Sequence, residues 1–130
     1  MRPPRLRPLP PPKLGLAQSS AAAAGVAMAA SEVAATIKAQ KVVIFSKTYC
    51  PYCDAAKAAF KRLGVAPHVV ELDLRDDGAA FQRALGDLTG ATSVPRVFVG
   101  GEFVGGGDDT VAAERSGKLA KLCRAAGALA

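Results

Sequence analysis

The sequence predicts a small α/β domain in which helices cover both faces of a mixed four-stranded sheet. Apolar runs typical of strands alternate with segments of helical spacing, and this order indicates a βαβ unit with a parallel strand pair. Further along, the stretch "PRVFVGGEFVGG" places two short apolar runs around a Gly-Gly pair, which predicts an antiparallel hairpin. A chain of 130 residues is long enough for one such domain with its own core.

The first half of the domain shows three local signals. Val33 and Ile37 are spaced by one helical turn and predict a short leading helix. The run "KVVIFS" at residues 41–46 is β-branched and aromatic, which is typical of a strand buried on both faces. A helix follows over residues 53–65, with Gly64 as its stop. Its apolar face consists of Ala56, Ala59, Phe60 and Leu63.

The second half continues the alternation. Residues 68–74, "HVVELDL", predict a second strand, and residues 76–90 predict a second helix that stops at Gly90. The apolar face of that helix consists of Phe81, Leu85 and Leu88. After the hairpin, residues 108–127 are helical again, with a break near Gly117.

The N-terminal segment has a different composition from the rest of the chain. Residues 1–30 contain six of the nine prolines and an alanine-rich tract, with no acidic residue. We therefore predict a disordered extension over residues 1–30 and a folded domain over residues 31–130. A basic, acid-free segment with serine and alanine is typical of a transit peptide, which would send the protein to the chloroplast or mitochondrion. The alternative is an untargeted extension of a cytoplasmic protein, with Met28 as a second start.

The net charge of +6 does not predict a nucleic-acid-binding protein. Four basic residues precede the first acidic one, Glu32, and basic and acidic residues are nearly balanced after it. Those four are Arg2, Arg5, Arg7 and Lys13. A nucleic-acid-binding surface needs clustered cations with stacking aromatic residues in the folded part. We also expect no membrane association, because the alanine-rich tract looks too short and too weakly apolar to span a bilayer.

The cysteines point to chemistry more than to structure. Three cysteines are too few for a disulfide-rich scaffold. A closed zinc site commonly takes four nitrogen or sulfur ligands. To build one, Cys123 and His68 would have to meet the pair Cys50 and Cys53, so we expect no metal.

Cys50 is placed where a thiol becomes reactive. It follows the first strand and begins a helix, and a helix N-terminus stabilises a thiolate through its free N–H groups and its dipole. Pro51 fits the first helical position, and Lys47 adds a nearby cation. Cys53 lies one turn later, so we predict that Cys50 attacks and Cys53 resolves. The alternative is that both are small core residues.

Three motifs in order resemble the dithiol glutaredoxins, a family of the thioredoxin-like fold. "TYCPYC" is similar to their active site, and "LTGATSVPRVFVGGEFVGGGDD" is similar to their Thr-Val-Pro and Gly-Gly-x-Asp signatures. The resemblance covers about residues 33–125. It implies a glutathione-dependent thiol–disulfide oxidoreductase that reduces glutathione mixed disulfides and protein disulfides through Cys50 and Cys53. Its partners would be glutathione as co-substrate, glutathionylated and disulfide-bonded proteins and, indirectly, glutathione reductase and NADPH, and the enzyme would be a monomer.

The resemblance also implies a glutathione site. Pro95 matches a cis proline that leaves the Val94 backbone free to pair with the tripeptide, and Ser93 replaces the usual threonine. The γ-glutamyl group would be held by Gly107, Asp108 and Asp109, the glycine carboxylate by Lys47 and Gln82, and Tyr52 would pack beside the bound sulfur.

For several other residues we expect a structural role and not a catalytic one. Asp108 is well placed to cap the following helix. We expect Arg83 and Arg96 to be solvated, and His68 to be a surface or packing residue. Cys123 is expected to pack in the core, in preference to a regulatory or dimer-forming role.

The sequence distinguishes this function from two rivals. A thioredoxin would carry Gly-Pro between the cysteines and Trp before the first, whereas this chain has Pro51-Tyr52 and no Trp. An iron–sulfur carrier would share a cluster between two protomers through Cys50 and glutathione. Pro51 stiffens the loop and removes a backbone N–H, which disfavours such a cluster.

Overall fold

The computed structural model describes residues 16–130. Within that range the chain forms five α-helices, four strands and one turn of 3₁₀-helix. In order they are α1 (Leu16–Ala39), β1 (Val42–Ser46), α2 (Pro51–Arg62), β2 (His68–Glu71), the 3₁₀ turn (Leu72–Leu74), α3 (Gly78–Thr89), β3 (Arg96–Val99), β4 (Glu102–Gly105), α4 (Gly107–Arg115) and α5 (Lys118–Ala125).

The strands form one mixed sheet in the order β2-β1-β3-β4. β1 pairs with β2 in parallel, and β3 pairs with β1 and β4 in antiparallel fashion, which confirms the predicted parallel pair and hairpin. Gly100 and Gly101 form the hairpin turn with φ values of 58° and 84°. Two successive positive φ angles are what a two-residue turn needs to match the twist of its strands.

Helices cover both faces of the sheet, as predicted. On one face, α2, α4 and α5 bury alternate residues of β1, including Val42 and Ile44. On the other, α1 and α3 bury Val43 and Phe45. All five residues of β1 are buried, so its unbroken apolar run reflects burial on both faces.

Two predicted details were wrong. The second strand ends at Glu71, and Leu72–Leu74 form a 3₁₀ turn that keeps Leu72 in the core. Phe81 and Leu85 of α3 are buried as predicted, but Leu88 is 58% exposed and lines an open groove beside Phe103. An apolar pattern identifies the buried side of an element, but it does not show where the neighbouring layer ends.

The first helix is longer than the short leading helix that we predicted. It begins at Leu16, so residues 16–30, predicted to be disordered, are helical. Alanine has the highest helix propensity, and the prediction gave this too little weight. Val26 and Ala29 continue the helical spacing of Val33 and Ile37 and pack in the same cluster. Residues 1–15 lie outside the described residues, and a domain boundary at residue 30 remains a prediction.

The same helix bears on the expected absence of a membrane span. Its segment Ala21–Ala39, with a mean hydropathy of 1.2, is long and apolar enough to cross a membrane by length and composition. This segment runs past residue 30, where the tract to which the expectation applied ends, so the expectation stays a prediction. One such helix near an N-terminus is weak evidence for a span, because core helices and signal sequences meet the same criterion.

Candidate active site

Cys50 occupies the N-cap of α2, at the end of the loop that follows β1. Its backbone is extended (φ −96°, ψ 116°), and Pro51 takes the first helical position as predicted. The backbone N–H of Cys53 donates to the Cys50 sulfur at 3.3 Å, and the Cys50 thiol donates to the Val94 carbonyl at 3.8 Å. The thiol is 9% exposed. Cys50 thus combines access from solvent with a backbone donor that stabilises negative charge on sulfur.

Cys53, one turn further on, has a different environment. Its side chain is fully buried. Burial, and after it the hydrogen bond with Cys50, raises the pKa of the Cys53 thiol to about 11. The backbone of Lys47 and the hydroxyl of Ser46 act against this increase. In the reduced protein Cys53 is therefore a neutral thiol.

The loop between β1 and α2 is fixed by the turn that follows β2. The Thr48 backbone N–H donates to the Asp73 carboxylate at 3.0 Å, and the Thr48 hydroxyl donates to the same carboxylate. The hydrogen bond from the Thr48 hydroxyl lowers the pKa of Asp73. The Lys47 carbonyl accepts the Cys50 N–H at 3.2 Å, and the Lys47 side chain is half-buried. These bonds hold Cys50 at the start of its helix.

The segment before β3 forms a second wall beside Cys50. The Val94–Pro95 peptide bond is cis, as the resemblance implied. The ladder between β1 and β3 ends at the pair Phe45 and Arg96, so the Val94 backbone lies outside the sheet. Ser93 is exposed, and the Gln82 side chain donates to the Thr92 carbonyl at 2.8 Å. Gln82 therefore supports this segment from α3.

Arg96 corrects an expectation. We predicted a solvated side chain, but Arg96 is only 8% exposed. It donates to the Ser93 hydroxyl at 3.1 Å and to the Pro95 carbonyl at 3.2 Å, and its guanidinium lies 5.1 Å from the centre of the Phe103 ring. Burial lowers the pKa of Arg96, with Asp109 acting in the opposite direction. A buried cation thus fastens the segment that carries Val94.

The third wall is the N-terminus of α4. A Cβ placed on Gly107 would lie 2.8 Å from the Tyr52 carbonyl oxygen, so only glycine lets α4 approach α2 this closely. The predicted cap by Asp108 was wrong, because it is the Asp109 carboxylate that accepts from the Gly106 N–H, at 3.0 Å. Asp108 and Tyr52 are exposed, so both side chains are available to a ligand.

The remaining candidates lie away from these walls. His68 is an exposed residue at the start of β2, and Arg83 is exposed on α3, as predicted. Cys123 is fully buried on α5, which confirms its packing role, and burial raises the pKa of its thiol. Among residues 16–130, no three His, Cys, Asp or Glu side chains are grouped so that they could hold a metal ion.

Sequence reasoning missed a polar group behind Cys53. Ser46 is fully buried at the end of β1 and donates to Glu71, which also binds Lys57. The signal was available in the residue spacing. Lys57 lies four residues after Cys53 on the helix, and Ser46 falls on the same face of β1 as Ile44.

A dithiol at a helix N-terminus, beside a cis proline in a four-stranded mixed sheet, defines the class of thiol–disulfide oxidoreductases with a thioredoxin-like fold. Comparison with known proteins identifies the family within that class. The glutaredoxin family model matches residues 42–104. Glutaredoxin-C8 of Oryza sativa subsp. japonica is 56% identical over 84% of this chain and 82% of its own length. The chain therefore belongs to the glutaredoxin family, the glutathione-dependent thiol–disulfide oxidoreductases.

Other relatives agree with this assignment. The chloroplastic glutaredoxin-C4 of Oryza sativa subsp. japonica is 43% identical over 79% of this chain and 77% of its own length. Oxidized glutaredoxin 2 from Chlamydomonas reinhardtii is 51% identical and covers 81% of this chain and 99% of that structure, with a TM-score of 0.78. A buckwheat glutaredoxin–glutathione complex is 40% identical over 82% of this chain and 96% of that structure, with a TM-score of 0.79.

Proposed function

We propose that this protein removes glutathione from glutathionylated proteins and reduces protein disulfides, with Cys50 as nucleophile and Cys53 as resolving cysteine. The unequal surroundings of the two thiols carry the proposal. Cys50 is partly accessible and accepts a backbone N–H at 3.3 Å, whereas Cys53 is fully buried with a pKa raised to about 11. Only a thiolate attacks a disulfide, so Cys50 is the sulfur that reacts first.

The reaction proceeds by two exchanges. The Cys50 thiolate attacks the glutathione sulfur of a mixed disulfide, and the protein leaves as a thiolate that takes a proton from solvent. Cys50 then carries glutathione. A second glutathione thiolate attacks that glutathionyl sulfur, which releases glutathione disulfide and restores Cys50. Glutathione reductase and NADPH would return the disulfide to glutathione.

Glutathione would bind beside Cys50, between the loop from β1 to α2, the segment before β3 and the N-terminus of α4. The Val94 backbone, with Ser93 and Pro95, would pair with the extended tripeptide. The Val94 carbonyl already faces the Cys50 sulfur, and its position beyond the sheet ladder supports this role. A relative from buckwheat has been solved in complex with glutathione.

The ends of the tripeptide would be held by polar groups on either side. Gly107, Asp108 and Asp109 would bind the γ-glutamyl group, since α4 begins directly against Tyr52. Lys47 and Gln82 would bind the glycine carboxylate. Gln82 would exchange its bond to the Thr92 carbonyl for one to the ligand. Tyr52, exposed between the cysteines, would cover the bound sulfur.

Two single substitutions test the roles of the cysteines. Cys50→Ser should abolish all activity, because a serine hydroxyl is not ionised at neutral pH. Cys53→Ser should keep deglutathionylation, which needs one nucleophile and a second glutathione, but lose reduction of protein disulfides. Turnover is measured as NADPH oxidation with glutathione reductase, using a glutathionylated peptide and a protein disulfide as alternative substrates. Equal loss in both variants would contradict the division of roles, and activity in Cys50→Ser would overturn the proposal.

We further propose that the N-terminal segment directs the protein to an organelle. Its basic, acid-free composition and the chloroplastic relative from Oryza sativa subsp. japonica support this. Fusing residues 1–30 to a fluorescent protein should move fluorescence from the cytosol into chloroplasts or mitochondria. Cytosolic fluorescence would contradict a targeting role. We also propose that the enzyme is a monomer, which sedimentation of the reduced protein would test.

A further inference from the structure

Cys53 shares its side of α2 with a partly buried polar cluster that the proposed reaction does not use. We define the Lys57 cluster as Ser46, Lys57 and Glu71. Side chains alternate along a strand, so Ser46 projects from the face of β1 that α2 covers. Ser46 pairs with Glu71 in the parallel ladder, which brings the glutamate beside it. Lys57 is one helical turn after Cys53 and shares its side of α2.

The contacts within the Lys57 cluster are short. The Lys57 ammonium lies 2.7 Å from one Glu71 carboxylate oxygen, and the Ser46 hydroxyl donates to the other at 3.2 Å. Asp54 approaches the same ammonium at 4.0 Å. The side chains of Lys57 and Glu71 are 30% and 18% exposed, and Ser46 is fully buried. Glu71 thus holds the Lys57 ammonium on the side of α2 that also carries Cys53.

The charged groups around Cys53 and Lys57 come from two elements. Cys50 and Lys57, both on α2, interact with Cys53, whereas Asp54 on α2 and Glu71 on β2 interact with Lys57. α4 and α5 also pack on the face that carries α2, but Glu114 of α4 pairs with Arg62 at the far end of α2, and the side chains that α5 buries there are Leu119 and the Cys123 thiol. Burial alone would lower the pKa of Lys57, but Glu71, Asp54 and Cys53 together raise it, so the lysine stays charged.

Formation of the Cys50–Cys53 disulfide, called ring closure below, requires negative charge on the buried Cys53 sulfur. The Cys53 thiolate attacks the Cys50 sulfur of the Cys50–glutathione disulfide, so the Cys50–Cys53 bond forms as the Cys50–glutathione bond breaks. Glutathione leaves as a thiolate with the electron pair, and the proton from Cys53 goes to solvent. Cys53 and Cys50 are left as a disulfide, and glutathione is reduced. A buried anion is costly unless a cation or hydrogen-bond donor is near it.

We propose that Lys57 supplies the positive charge that stabilises the Cys53 thiolate during ring closure, and that Glu71 is the positioning residue that holds Lys57 there. The Ser46 hydroxyl turns from Glu71 to donate to the sulfur as charge develops. The inference rests on the proposed role of Cys53 as the resolving cysteine. Glutathionylation of Cys50 also removes the hydrogen bond and charge by which Cys50 raises the pKa of Cys53. Reaction of Cys50 thus removes two of the causes that raise the pKa of Cys53, while burial, the largest, remains.

The test compares three substitutions in the full chain. Lys57→Gln removes the charge but can still donate to Glu71, Lys57→Arg keeps the charge, and Lys61→Gln removes an exposed charge from the same helix. The reduced enzyme is mixed with one equivalent of a glutathionylated peptide without free glutathione. Samples are quenched in acid, and their intact mass distinguishes the Cys50–glutathione adduct from the Cys50–Cys53 disulfide.

We expect Lys57→Gln to slow ring closure about tenfold at neutral pH and to move its pH profile up by about one unit, the effect of one charge at a partly screened distance. Lys57→Arg should restore the rate, and Lys61→Gln should match the wild type. An unchanged rate in Lys57→Gln, equal loss in Lys57→Arg, or equal loss in Lys61→Gln would overturn the inference.

A second readout separates this inference from the proposed function. Deglutathionylation through a second glutathione does not use Cys53, so Cys53→Ser should show the same rate with and without Lys57→Gln. Slower turnover in the double variant would overturn the inference, because it would show that Lys57 acts on Cys50 or on the fold. If Lys57→Gln forms the Cys50–glutathione adduct and then closes the ring at the wild-type rate, the inference is wrong but the proposed function stands. Failure to form the adduct in the wild type overturns the proposed function as well.

Discussion

Cys50 and Cys53 share one turn of a helix, yet the chain gives their sulfur atoms opposite surroundings. Cys50 is the N-cap, where backbone N–H groups are free to face the sulfur, and it borders solvent. Cys53 points inward, and its thiol is held neutral by burial. The spacing of two residues between the cysteines therefore sets their roles. It places one at the end of the helix and the other against the sheet.

Arg96 offers a test at the same scale. Arg96→Gln should remove the guanidinium that fastens Ser93 and the Pro95 carbonyl, and it should raise the KM for glutathione several-fold. We expect a loss of about 1–3 kcal/mol in the free energy of unfolding, because the buried Pro95 carbonyl loses a charged donor. Thermal unfolding and steady-state kinetics measure the two effects.

The matched control is Arg83→Gln. Arg83 is exposed on α3 beside the same segment, so its loss should change stability by less than about 0.5 kcal/mol. If Arg96→Gln left both the unfolding free energy and the KM at wild-type values, the segment would not depend on Arg96. If Arg83→Gln gave an equal effect, the cause would be a general loss of positive charge.

Among the elements, the site is made where three of them begin. α2 supplies both cysteines, the segment entering β3 supplies Val94, and α4 supplies Gly107 and Asp108. The sheet order places β1 and β3 side by side, so the loop after one lies next to the segment before the other. Such a site needs no insertion or additional domain, because it follows from the order of the strands.

The elements differ in how far the sequence alone could predict them. β1, α2 and the glycine turn have strong local signals, since a buried run, helical spacing and a Gly-Gly pair each allow few conformations. The burial of Arg96 and the capping by Asp109 had no such signal. Arg96 is buried because Phe103 and the Ser93 segment cover it, and these lie several residues away in the chain. Contacts of that kind are set by tertiary packing.

Of the two aspartates at the start of α4, we expect Asp109 to stabilise the fold and Asp108 to bind glutathione. Asp109→Ala should cost about 1 kcal/mol of stability, because it removes the side chain that accepts the Gly106 N–H. Asp108→Ala should leave the melting temperature unchanged but raise the KM for glutathione, since Asp108 is exposed at the start of α4 and is assigned to the proposed glutathione site. Thermal unfolding measures the stability of both variants, and turnover at a series of glutathione concentrations measures the KM. A larger loss of stability in Asp108→Ala would contradict the assigned cap, and an unchanged KM would remove Asp108 from the glutathione site.

At the scale of the whole molecule, the sheet separates two functions. α2 and α4 bring the reactive groups to one face, and α1 and α3 close the core on the other. The ion pair between Glu32 and Arg75, 3.1 Å long, ties α1 to the turn that precedes α3. Changes in α1 should therefore affect stability without altering the geometry of Cys50.

Two truncations test this separation together with the predicted domain boundary at residue 30. A chain that starts at residue 25 keeps Val26 and Ala29, and one that starts at residue 31 loses both. Val26 and Ala29 pack in the core cluster between α1, α3 and the sheet, so the shorter chain should be less stable by about 1–2 kcal/mol. Both chains keep Glu32, and both should remove glutathione from a peptide at the same rate because Cys50 lies across the sheet. Chemical denaturation of the two purified proteins measures the difference. Equal stability would support a domain that begins at residue 31, whereas a lower rate in the shorter chain would show that α1 reaches the active site through the sheet.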